Sequence, residues 1–375
     1  MTTSSKYSST RTPGWPTPTL PNFRREEPGR VGAHSRSDFS LRDARQLVND
    51  LFEPRPWIYW VDFSLSIGLG TAALLVLRRA PLNWAGWGII YAAAVLAFYR
   101  AAMFSHEVVH LRAEKFKAFR IYWNLLCGIP FLIPSFLYQT HTLHHVRKHY
   151  GTANDGEYLP LATGPVRNIF LFLCEPLVMP AIAVVRFLVL APLTWISPRS
   201  RKWVYAHASS MVIDPTFVRP LPGRGELRTW RLQEAACFAL ALGTLLAVVS
   251  GLRPWQFVRD LYLIAAGVLM INAIRTMGAH RYLHRGEPVS FVEQLVDSLN
   301  YPNHPITGEL WAPVGLRYHA LHHLFPSLPY HALPAAHERL MAGLPSGSPY
   351  HLTICSSLPS ALLALWRRAR SSTTA

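Results

Sequence analysis

Four stretches of the chain are almost unbroken in apolar residues: 57–77, 82–104, 232–252 and 255–274. Each is about twenty residues long, which at 1.5 Å per residue matches a hydrocarbon core of about 30 Å. The pattern predicts four transmembrane helices in two hairpins. The first pair turns at Arg78, Arg79, Ala80 and Pro81 and the second at Arg253 and Pro254, turns too short to hold a domain. Residues 1–56, roughly 105–231 and 275–375 therefore fall on one side of the membrane.

Two further apolar stretches carry breakers. Residues 121–138 include Pro130 and Pro134, and residues 166–196 include Glu175, Pro176, Pro180, Arg186 and Pro192. Proline in a helix interior removes a hydrogen bond and clashes with the preceding turn, so neither stretch reads as a clean span. The first lies between motifs that must share a face, so it is expected to be re-entrant or interfacial. The fold class is thus all-α integral membrane: four spanning helices, a cytoplasmic helical cap and interfacial helices. Residues 1–50, rich in Ser, Thr, Pro and Arg, read as a flexible basic arm, not a signal peptide. Residues 51–345 read as the membrane domain and 346–375 as a basic tail.

Composition sharpens this picture. Half of the 375 residues are hydrophobic and 15% are charged, against about 25% in an ordinary globular protein. Disorder, collagen and a disulfide-rich secreted scaffold are excluded. Lys+Arg 37 against Asp+Glu 21 gives a net charge of +16. Beside such apolar runs, that charge suits a phospholipid surface or an acidic protein, not nucleic acid. Most arginines fall in the long segments, which makes that side cytoplasmic by the positive-inside tendency; Arg78 and Arg79 run against it. Cys127, Cys174, Cys237 and Cys355 form no CxxC pair and read as reduced.

The 17 histidines carry the chemistry. His106 and His110 form an HxxxH pair at the end of the second span, and a helical i, i+4 spacing puts both on one face, about 5 to 6 Å apart. His141, His144 and His145 follow as HxxHH. The order then recurs after the fourth span, with His280 and His284 as HxxxH and His319, His322 and His323 as HxxHH. The chain reads as two pseudo-repeats, each a membrane hairpin followed by a histidine pair and a triplet. Eight to ten imidazoles are twice what one tetrahedral zinc takes, so two metals are implied, and an all-imidazole shell around a redox pair points to iron. Glu107, Asp155, Glu157 and Asp297 are the candidate supporting carboxylates. His34, His149, His207, His304, His331, His337 and His351 read as ordinary surface or interfacial residues.

The motifs HEVVH, HTLHH and HALHH, set among four spans, resemble the three histidine boxes of the membrane fatty acid desaturase and hydroxylase superfamily. The resemblance covers roughly residues 57–340 and includes the GLRYHALHH and LFPSLPYHAL run. It implies a di-iron centre that activates O2 and attacks an unactivated acyl C–H bond, with electrons from a ferredoxin or cytochrome b5 and its reductase. Box by box it assigns His106 and His110, then His141, His144 and His145, then His319, His322 and His323 as ligands. The family's additional ligand at the end of the fourth span falls on His280. His284 is either a tenth ligand, as the repeat suggests, or a surface residue. No HPGG haem motif and no GxGxxG loop after a strand occurs in the chain, so the reductant is expected to be a separate protein.

The expected function is therefore O2-dependent desaturation of a lipid acyl chain, with hydroxylation or ketolation of a lipid, alkane or carotenoid as the alternative on the same scaffold. HEVVH also satisfies the HExxH zinc protease pattern, with Asp155 as a third ligand, but that reading leaves both HxxHH clusters unexplained.

Overall fold

The computed structural model describes residues 39–373. It opens with α1 (Leu41–Leu47), then α2 (Pro56–Arg79) and α3 (Trp84–His110), which pack along their length as a hairpin. Next come α4 (Ala113–Trp123), the single turn α5 (His141–His144), and α6 (Arg167–Val185), which runs through a π-helical turn into α7 (Ala191–Ile196). After α8 (Pro198–His207), the long α9 (Arg224–Val249) and α10 (Gln256–Met277) follow. The last hundred residues hold α11 (Phe291–Asp297), α12 (Pro305–Trp311), α13 (His319–Leu324), α14 (Leu333–Gly343) and α15 (Leu358–Thr373). Among the described residues no strand forms, and extended pairing is confined to isolated bridges.

Among the described residues, five stretches are helical, long and apolar enough to cross a membrane: α2, α3, α6 with α7 (Arg167–Ile196), α9 and α10. Four coincide with the expected spans. The fifth is a departure, because the helix carries on through Pro176 and Pro180. Each proline deletes one backbone bond without ending a helix that is packed along one side. The helix then passes through the π-turn at Arg186–Leu190. The second expected hairpin also differs: α10 packs chiefly on α6 and α3, and α9 on the α7 region.

The chain before Arg167 is hydrogen-bonded to the chain after Ile196. Met211 N–H donates to Leu137 O and Ile213 N–H to Gly156 O, both at 2.9 Å. The stretch at 121–138 doubles back as expected. Asn124 and Ser135 clasp across its base, the Asn124 side chain donating to Ser135 Oγ (2.9 Å) and accepting from Ser135 N–H (2.8 Å).

The two ends of the chain are more folded than the sequence suggests. Residues 1–38 of the expected arm lie outside the described residues. Its remainder forms α1, capped by Ser40 and buried through Ala44 and Val48, with Arg339 of α14 paired to Asp50 at 2.5 Å. The expected tail includes α15, which buries Leu365 and Ala369 and sets Trp366 edge-on to Phe170 of α6. Around the end of α3, Tyr59, Phe63, Phe104, Phe119 and Tyr330 pack edge to face at centroid distances of 5.0–6.4 Å. That cluster joins α2, α3 and α4 and fixes the helix end from which the first histidines project.

Candidate metal centre

Nine of the ten candidate histidines converge as two groups. His106, His110, His141, His145 and His322 form one, and His144, His280, His319 and His323 the other; within each, one nitrogen per ring lies within 4.8 Å of all the rest. The split follows from helix geometry. In α5 the i and i+4 rings, His141 and His145, turn to the first group and the i+3 ring, His144, to the second. In α13 the choice is reversed: His319 and His323 enter the second group and His322 the first. Each HxxHH motif therefore serves both groups.

His106 and His110 stack on α3 with ring centroids 5.3 Å apart. Their counterparts do not. α10 ends at Met277, so His280 and His284 sit on a non-helical segment in which Tyr282 has φ of 56°. There an i, i+4 spacing no longer places two rings on one face. His280 is held to the centre by a bridge with Ser298, while Asn300 pairs with Tyr318 and its side chain accepts from Leu321 N–H, at the first turns of α13. His284 stands in neither group; the rings of Tyr150 and Tyr158 lie 6.1 and 6.3 Å from its own.

The supporting carboxylates fall on the outer nitrogens. His144 Nδ1–H donates to Asp155 Oδ2 at 2.8 Å, and Asp155 also accepts from Gly151 N–H and Glu157 N–H. Glu157 Oε2 lies 2.8 Å from His141 Nδ1 without the alignment of a hydrogen bond. Asp297 acts through a phenol. Tyr150 O–H donates to its Oδ2 at 2.6 Å, which leaves the Tyr150 oxygen to accept from His280 Nδ1–H at 2.9 Å. Tyr158 O–H donates to the same carboxylate at 3.1 Å. Sequence reading missed both tyrosines. Glu107 turns away, accepting from Tyr59 O–H (2.9 Å) and Tyr330 N–H (3.4 Å). In that place it cannot serve as the general base of an HExxH protease, and Asp155 is engaged with His144.

Burial, before any neighbouring charge, holds His141, His145, His280, His319, His322 and His323 well below the usual imidazole range, so they are neutral near pH 7. His144 goes the other way: burial lowers it, but Asp155, with Glu157 and Asp297 behind it, outweighs burial and raises it. Burial pushes Glu157 up to about 7.

This arrangement fits a metal on its own terms. With Nδ1–H committed outward on His144 and His280, their Nε2 lone pairs face each other at 3.1 Å. His280 to His319 is 2.8 Å and His319 to His323 is 3.1 Å, again between Nε2 atoms. One shared proton satisfies one such contact; a cation at the common focus satisfies all three. In the first group the corresponding gaps are 3.0 and 3.2 Å, and both ring nitrogens of His106 and Nε2 of His110 are buried with no protein partner. A metal–imidazole bond of about 2.1 Å puts neighbouring donors about 3.0 Å apart in an octahedron and about 3.4 Å apart in a tetrahedron. The observed gaps are short enough for neighbouring donors on one metal ion.

Asp155 offers a direct check. Both its oxygens accept hydrogen bonds, so in Asp155→Asn an amide N–H would face either a backbone N–H or His144 Nδ1–H. Metal affinity at the four-histidine group should fall by about 10- to 100-fold, read by chelator competition on the full-length protein. Unchanged affinity would show that Asp155 does not support this group.

The family model described as "Fatty acid desaturase" matches residues 80–354. A ceramide hydroxylase of Caulobacter vibrioides is 36% identical to the chain over 340 residues, which are 90% of this chain and 96% of that protein.

Proposed function

Because the chain belongs to the fatty acid desaturase family of membrane lipid oxidoreductases, we propose that its nine converging histidines hold two irons and that it hydroxylates the apolar chain of an amide-linked lipid of the ceramide type. The observation that carries the di-iron reading is the facing of Nε2 lone pairs at 2.8–3.2 Å inside both groups. The choice of hydroxylation and of lipid class rests on the ceramide hydroxylase, alike over nearly the whole of both chains. Desaturation of an acyl chain is the second reading, favoured by the family model that spans all three histidine boxes. Both are O2-dependent oxidations at the same kind of carbon, differing in the fate of the carbon after the first hydrogen is removed.

Irons bound here would supply O2 activation for attack on an unactivated C–H bond. The chain's own part is to bring the ligands together and orient them. Asp155 and the Tyr150–Asp297 pair hold the outer nitrogens of His144 and His280, which directs their Nε2 inward. The second group offers four imidazoles where the first offers five, so more of its metal's positions are left to ligands other than protein.

We place the histidine face and both described chain ends on the cytoplasmic side, supported by the arginine-rich segments there. The hydrogen bonds joining Leu137 and Gly156 to Met211 and Ile213 support four spans, with 167–196 entering and returning. Two electrons come from a separate ferredoxin or cytochrome b5 with its reductase, since the chain has neither an HPGG nor a GxGxxG motif.

Mass spectrometry of host lipids after co-expression with a matching reductase tests the assignment. A gain of one oxygen on a ceramide-type lipid, dependent on O2, is the expected result. A loss of two hydrogens from an acyl chain would select the second reading, and no change in any lipid would overturn both.

A further inference from the structure

At the junction of α7 and the first turns of α9 lies a groove of about 640 Å³ that shares no residue with the metal centre. One wall is a row of arginines, Arg224, Arg228 and Arg231. Their steps of four and three keep them on one helical face, spread over about 10 Å of axis. All three are exposed, and among the described residues none has a carboxylate at ion-pair distance. Elsewhere in the fold Arg100 is paired with Asp62 and Arg186 with Glu234. Glu226, the acidic neighbour on α9, is occupied in accepting from Gly223 N–H at 3.1 Å.

The rest of the groove is apolar and open. Trp195, Leu232 and Ala235 line it; Leu232 is 64% exposed, and α9 then continues as an apolar helix long enough to cross a membrane. A cationic rim above an apolar floor on a membrane helix has one fitting occupant by charge and polarity. We infer that this groove binds an anionic phospholipid, with the guanidinium groups on the phosphate and the acyl chain lying over Trp195, Leu232 and Ala235. Guanidinium donors match phosphate oxygens in bidentate fashion, and a tryptophan at the same level suits the headgroup boundary. A soluble acidic protein could reach the arginines but would leave the apolar floor uncovered. The inference does not depend on which lipid the metal centre oxidises.

The test uses full-length protein in detergent, stripped of bound lipid and titrated with phosphatidylglycerol, phosphatidylcholine or inorganic phosphate, with binding read by native mass spectrometry and by thermal melting. Phosphatidylglycerol should bind and raise the melting temperature, and phosphatidylcholine and phosphate should do neither at equal concentration. Each basic residue at a membrane surface contributes roughly a fivefold factor, so R224Q/R228Q/R231Q should weaken phosphatidylglycerol binding on the order of a hundredfold while the lipid-free melting temperature stays that of the parent. If the triple variant does not fold, R228Q alone should show about a fivefold loss. Parental affinity in either variant, equal binding of the two lipids, or the same shift from phosphate alone would overturn the site. So would displacement of the lipid by a soluble acidic protein.

Discussion

Replacing His322 by alanine is expected to abolish lipid oxidation and to empty the five-histidine group, and replacing its neighbour His323 is expected to do the same to the other group. The two residues are adjacent on α13, yet His322 Nε2 lies 3.2 Å from His145 Nε2 and His323 Nε2 lies 3.1 Å from His319 Nε2. Loss of a supporting partner alone weakens a metal site by about 10- to 100-fold, so loss of a ligand should exceed a hundredfold. Iron per chain should fall from about two to one or fewer in each variant, and product should vanish in both, because the proposed di-iron chemistry needs both groups filled. His284→Ala is the contrast: it should keep both irons, since that ring stands in neither group. His322→Ala with two irons and full product would refute the ligand assignment, and loss of iron in His284→Ala would restore the tenfold set implied by the repeat.

The histidine boxes were legible as candidates because a pair at i, i+4 and a triplet at i, i+3, i+4 each share a helical face. The repeat of pair and triplet did not reveal that α5 and α13 each divide their rings between the two groups. The spacing left His284 open between a tenth ligand and a surface residue, because an i, i+4 spacing means a shared face only on a helix, and α10 has ended at Met277. Gly278, directly after that end, was the available signal. Asp155, Glu157 and Asp297 were found as carboxylates near the boxes. Tyr150 was not, since its bond to both His280 and Asp297 joins residues 130 and 147 positions apart. The apolar runs located four long helices, but composition cannot tell whether a proline breaks a helix that packing holds together, and so the continuity of 167–196 was invisible.

What holds that stretch makes the second large prediction. Arg186, in the π-turn, is buried and donates to Glu234 Oε1 of α9 at 2.7 Å, to Ser209 Oγ at 2.9 Å and to Ala208 O at 2.7 Å. Glu234 is fully buried and accepts also from Thr194 O–H (2.7 Å) and Tyr205 O–H (3.2 Å). Glu234→Leu removes the only carboxylate paired with this guanidinium among the described residues and strands its charge. Breaking a buried pair from one side costs about 3–5 kcal/mol, so the full-length protein should melt well below the parent in the same detergent. Adding Arg186→Met should recover most of that loss, because removing both charges is often near neutral. Recovery should stop short of the parent, since Tyr205 O–H is left without its acceptor, at a cost of about 1–3 kcal/mol. A Glu234→Leu protein as stable as the parent would mean that the pair does not bind the π-turn to α9. The joint among α7, α8 and α9 would then need another source of rigidity, because these contacts, with Arg219 donating to Phe136 O at 3.0 Å, tie the turn after Ile196 to the segment that leads into His141.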